Sequence, residues 1–170
     1  MRNETVEAVN QNGIGLRLEF RWLDDRYGHL ISRIQGDCDP EPLLESLEGA
    51  PLDAWPSSPP LQSLTIAELP DGRTAALLVG MAGRTHWSAS IEPAADCAGL
   101  IVDIACRLAS PPGSLGSHYR WLTSGSQPVS IESTDADINR TSDASQILPR
   151  TVAGSTVRWR YSIALKRAQH

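Results

Sequence analysis

The sequence predicts a mainly β protein, an antiparallel β-sandwich or β-barrel of eight to nine strands with one short helix near residues 39–48. Two observations carry this. Apolar and polar residues alternate one by one near both ends of the chain, and Gly- and Pro-bearing turn signals separate such stretches at modest intervals.

The first alternating stretch is Ile14–Trp22, with Ile14, Leu16, Leu18, Phe20 and Trp22 on one parity and Gly15, Arg17, Glu19 and Arg21 on the other. Successive strand side chains point to opposite faces, so this is a half-buried strand; on a helix the same residues would surround the axis. Asp24 to Gly28 supplies turn residues, and His29 to Ile34 returns as the partner strand. The far end repeats the device: Val157, Trp159, Tyr161, Ile163 and Leu165 alternate with Arg158, Arg160, Ser162 and Ala164.

Between these ends, Leu61–Leu69 and Arg73–Ala82 flank Pro70-Asp71-Gly72, a hairpin turn in which proline fixes φ and glycine tolerates the left-handed position. The run Ala75–Ala82 is apolar without alternation, as expected of a central strand covered on both faces. Gly80 to Gly83 is not a phosphate loop, because no helix start follows; small residues here suit a close passage of backbones. Thr85–Glu92 alternates again and pairs, across a loop at Pro93–Gly99, with Leu100–Leu108. Ser117–Leu122 and Val129–Ile131 are shorter strand candidates. The helix is read from Asp39 as cap, Pro40 in the first turn, Leu43, Leu44 and Leu47 on one face, and Gly49 as the stop. Residues 1–12 are expected to be a flexible N-terminal arm and 13–170 a single β domain. Two irregular loops are expected: Pro-rich 49–60, anchored by Trp55, and 123–154, rich in Ser, Thr, Asp and Gly.

A chain of 170 residues is about one domain long. Its net charge of −5 argues against a nucleic-acid binder that works by overall charge. No apolar run reaches the roughly 18 residues needed to span a bilayer as a helix, so no membrane association is expected. The N-terminus has neither the basic start nor the apolar stretch of a secretory signal, which predicts a cytoplasmic protein, the alternative being a chain processed from a precursor. Cys38, Cys97 and Cys106 form no CxxC pair; three reduced apolar fillers are the favoured reading, and one disulfide with a thiol left over is the alternative. Asn3 and Asn139 head chance-level glycosylation patterns. Charge is unevenly spread: residues 34–72 hold eight acids and no Lys or Arg, whereas from Arg150 onward only basic charges occur. Such segments could dock against each other, although two solvated faces are the simpler reading.

The usual catalytic motifs are absent: there is no GxSxG, GxxxxGK[ST], HExxH or GxGxxG. The imidazoles His29, His86, His118 and His170 are isolated, so a metal site would have to be built across strands, from His86, His118 and Asp103 or Cys106. No cofactor is expected. The most suggestive constellation is a candidate ligand-binding polar patch of His86, Ser88, Ser90, Asp103 and Arg107. Asp103 interrupts an apolar strand and needs compensation from Arg107, from Arg73 or Arg84, from a hydroxyl or from solvent. Trp22, Trp87, Trp121 and Trp159 are the candidate aromatic lining of a cavity, with core packing as the weightier reading. These features favour a non-catalytic β module that binds a protein or a small molecule. The alternatives are a barrel enclosing a small ligand in the lipocalin manner, and behind it a hydrolase or metal protein using His86 and Asp103.

Overall fold

In the computed structural model, which describes residues 4–96 and 98–167, thirteen β-strands form two antiparallel sheets and no helix occurs among the described residues. The seven-stranded sheet has the order β1(Thr5–Val9), β2(Ile14–Trp22), β3(Tyr27–Gln35), β4(Glu41–Ser46), β9(Ser117–Trp121), β12(Ala144–Pro149) and β11(Ala136–Arg140). The six-stranded sheet runs β10(Val129–Glu132), β13(Thr156–Leu165), β8(Gly99–Arg107), β7(Thr85–Pro93), β6(Thr74–Ala82) and β5(Ser63–Glu68). The chain thus lays down one meander in each sheet and then passes back and forth between them. The result is a sandwich, with open edges at β1, β11, β10 and β5.

The inward parity of each alternating strand makes the core. Leu16, Leu18 and Phe20 of β2 meet Trp87, Ala89 and Ile91 of β7, Val102 and Ile104 of β8, and Trp159 and Ile163 of β13, all buried. The three hairpins read from sequence pair in register: Leu18 with Ile31, Thr65 with Leu77, and Ser90 with Asp103.

Four expectations are corrected. The segment expected as a helix near 39–48 is strand β4, which binds β3 on one side and β9 on the other. Two turns of helix would have had little cooperative support, whereas a central strand satisfies both rows of its backbone groups. Pro42 is accommodated where the β3–β4 register shifts between Ile31 and Ser32. The strand count exceeds eight to nine because β1 and β4 are strands and because the expected loop 123–154 holds β11 and β12 beside the strand read at Val129–Ile131, each short and anchored by inward residues such as Val129, Ala136 and Ile147. Residues 5–9 of the expected arm form β1, with Val6 and Ala8 buried against β2. Finally, β6 is covered on one face only: Leu77, Val79 and Met81 are 47%, 55% and 43% exposed.

The Pro-rich segment 49–60 is irregular and straps one end of the sandwich. Trp55 packs edge-on against Trp87 with ring centroids 6.1 Å apart, and Ser58 Oγ accepts the His118 amide at 3.0 Å. The Pro60 carbonyl presses so closely on β6 that a Cβ at Gly80 would collide with it. Cys38 is exposed and Cys106 buried, both free, and burial pushes the Cys106 thiol up to about 11. Cys97, Asn3 and His170 lie outside the described residues. Among the described residues no helix is long and apolar enough to cross a membrane.

Candidate functional site

Antiparallel register turns the outward parity of the six-stranded sheet into rows of side chains that run across the strands. One row reads Thr156, Arg107, His86 and Met81; the next reads Arg158, Ala105, Ser88, Val79 and Ser63; the third reads Arg160, Asp103, Ser90, Leu77 and Thr65. The five residues of the polar patch therefore share this one face. The middle positions are short (Ala105, Ser88, Ser90), whereas the flanks are long: Leu77, Val79 and Met81 on β6, and Arg107 and Arg158 on β8 and β13. The outcome is a trough made of two adjoining hollows of about 430 and 460 Å³, which share Ser63, Val79, Ser88 and Ala105. One wall is aliphatic, the other basic, and the floor carries hydroxyls.

Asp103 finds its compensation in Arg158, whose Nη2 donates to both carboxylate oxygens at 3.2 Å; Arg107, Arg73 and Arg84 are not its partners. Arg107 and Arg160 form no ion pair among the described residues. His86 stands opposite Arg107 whereas Asp103 stands opposite Ser90, two rows away. At about 3.3 Å of rise per residue that is roughly 13 Å along the strands, well beyond the reach of a hydrogen bond.

A metal site from His86, His118 and Asp103 or Cys106 is not assembled. Cys106 points into the core, and His118 belongs to the other sheet, where its Nδ1 meets the Ser57 carbonyl. Among the described residues no three His, Cys, Asp or Glu side chains group to hold a metal ion. Of the tryptophans, Trp87, Trp121 and Trp159 are core residues, and Trp22 is exposed at the end of β2, edge-on to Tyr27 at 5.0 Å. The four do not line one cavity.

A second polar cluster, inside the sandwich, was not singled out from sequence. Tyr119 OH lies 2.9 Å from His29 Nε2 and 2.8 Å from Tyr161 OH, while Ser117 Oγ accepts Trp159 Nε1–H at 3.0 Å. At its rim, Ser46 Oγ accepts the His29 amide and donates to Glu48 Oε1 at 2.6 Å. Glu48 Oε2 and Nη1 of the buried Arg26 have no hydrogen-bond partner among the described residues. Burial lowers His29 to about 4, raises Glu48 to about 7 and Tyr161 to about 12, and lifts Tyr119 well above the usual phenol range. The hollow beside this cluster measures only about 10 Å³, comparable to the space of about one water. The signal was present: His29, Tyr119 and Tyr161 occupy inward positions of their strands, where a ring with a polar tip must find a buried partner.

No family model, curated protein or solved structure matches this chain.

Proposed function

We propose that this protein is a non-catalytic β-sandwich module that holds a protein partner in the trough of its six-stranded sheet. The supporting observation is the solvent-facing row Leu77, Val79 and Met81 across the trough from arginines of which Arg107 and Arg160 lack acidic partners among the described residues. Isolated exposed aliphatic residues need no explanation, but a contiguous row on a sheet face, rimmed by polar groups, is the usual mark of an interaction surface. The trough is too open to exclude water from a reaction, and the separation of His86 from Asp103 leaves no acid–base pair in it. The interior hollow is too small for an organic ligand, which disfavours a small-molecule carrier.

The test is a selection of displayed random peptides of about 16 residues, enough for ~24 Å of helix, on the immobilised full chain. Val79→Asp serves as the counter-target. Peptides should be recovered whose affinity falls at least about tenfold on the variant, as expected when a central apolar contact is lost. Peptides indifferent to Val79→Asp, an empty selection, or turnover of ester or phosphate substrates abolished by His86→Ala would each overturn the proposal.

A further inference from the structure

We infer that the element seated in the trough is an amphipathic α-helix with an aliphatic face and an acidic flank. This rests on the reading of the trough as a partner site and adds the partner's shape and charge.

The first argument is backbone hydrogen bonding. An extended peptide is captured by a sheet at its edge, where unpaired amides and carbonyls complete a new strand. The trough lies instead over β7 and β8, whose backbone groups are already paired with β6 and β13 on either side. A guest here must satisfy its own backbone, and a helix does so. The second argument is width. From β6 to β13 there are three inter-strand steps, about 14 Å in all, against the ~10–12 Å diameter of a helix with side chains. The third is length. Leu77 to Met81 covers about 13 Å of strand, a little over two helical turns, so one aliphatic stripe at positions i, i+3 or i+4, and i+7 would run the length of the apolar wall.

Charge sets the flank. Arg107, Arg158 and Arg160 follow one another across the three rows on the far side from the aliphatic wall, the first two lining the trough and Arg160 an adjoining hollow with Glu132, and the one acid among the three rows is Asp103, which Arg158 already neutralises. His86 adjoins Arg107 at one end; Glu92 and Glu132 lie in the row beyond Arg160 at the other. A guest with acids on the side facing β13 therefore gains two arginines that pair with no carboxylate among the described residues. This patch is basic in a protein whose net charge is −5, so the attraction is local.

The test uses three labelled synthetic helices with the same leucine stripe and a flank of Glu, Gln or Lys, titrated into the full chain by fluorescence anisotropy at low and physiological salt. The Glu peptide should bind about tenfold more tightly than the Gln peptide, with the advantage shrinking at higher salt, and the Lys peptide most weakly. Arg107→Glu with Arg160→Glu should reverse the Glu–Lys order, with an unchanged circular dichroism spectrum as the check on folding. Equal binding of all three peptides, abolished by Val79→Asp, overturns the acidic flank and leaves the partner site standing. Recovery of extended, proline-bearing peptides in the selection overturns the helix. If no peptide binds in either experiment, the partner site falls too.

Discussion

The two outer faces of this sandwich have opposite finishes. On the seven-stranded sheet, each outward arginine has a carboxylate: Arg17 meets Glu7, Arg21 meets Glu19, Arg120 meets Glu45, and Arg150, just past β12, meets Asp137. Leu30, which faces the same way between Glu19 and Glu45, is buried. On the six-stranded sheet an aliphatic row is open to solvent, and two outward arginines have no acidic partner among the described residues. Both faces alternate correctly with the core, so folding alone does not require the difference. One face completes itself within the chain; the other leaves both its grease and its charge uncompensated. That asymmetry is the ground on which the partner site is proposed for the six-stranded sheet.

Three measurements would break or sharpen the contrast. The largest effect should come from the two sides of β6. Gly80→Ala forces a methyl into the Pro60 carbonyl and should cost about 1–3 kcal/mol in urea unfolding, whereas Val79→Thr on the open side should stay within about 0.5 kcal/mol. Comparable losses at both positions would mean that Val79 is covered in solution.

Next in size is a pH effect that belongs to the interior and to neither face. Burial raises the Glu48 carboxyl from 4.5 to about 7, so the folded chain keeps a proton that the unfolded chain releases. Its contribution to stability is complete below about pH 4.5 and is lost as pH rises through about 7. His29 runs the other way: held neutral by burial, it loses its contribution as pH falls from 6.5 through about 4. Glu48→Gln should therefore gain stability relative to the native chain between pH 4.5 and 7.5, read as the difference between their unfolding midpoints. A flat difference would place the Glu48 carboxyl in water.

The smallest effect concerns the paired face. Glu45→Gln breaks the exposed contact with Arg120 and should cost about 0.5 kcal/mol at low salt, fading at high salt. Arg160→Gln, which breaks no ion pair, should leave stability unchanged. A larger loss for Arg160→Gln would reveal a partner for that guanidinium and weaken the charge argument.

Long alternating strands were legible because each carries enough inward side chains to state its own period. Leu16, Leu18 and Phe20, or Val157, Trp159, Tyr161 and Ile163, need no neighbour to be recognised. β1, β11 and β12 were not legible, since two or three inward residues carry little period, and their order comes from pairing with β2, with each other and with β9. The 39–48 segment failed for a related reason: cap and leucine spacing fit a short helix locally, but pairing with β3 and β9 outweighs a marginal local preference. The polar patch was readable as a shared face, because strand parity fixes which residues look the same way. Its partner Arg158 was not, because that needs the register between residues 55 apart in sequence; the meeting of His29, Tyr119 and Tyr161 likewise needs long-range placement.

By itself, then, the sequence determined that the long alternating segments are extended and which side of each is apolar, because side-chain period is a local property of the backbone. Only the tertiary structure decided that β6 has one bare face. The run Ala75–Ala82 is apolar on both sides, and whether the second side is covered depends on which elements the chain has left to lay over it. Here none is laid there among the described residues, and the uncovered side is the one that carries the proposed partner site.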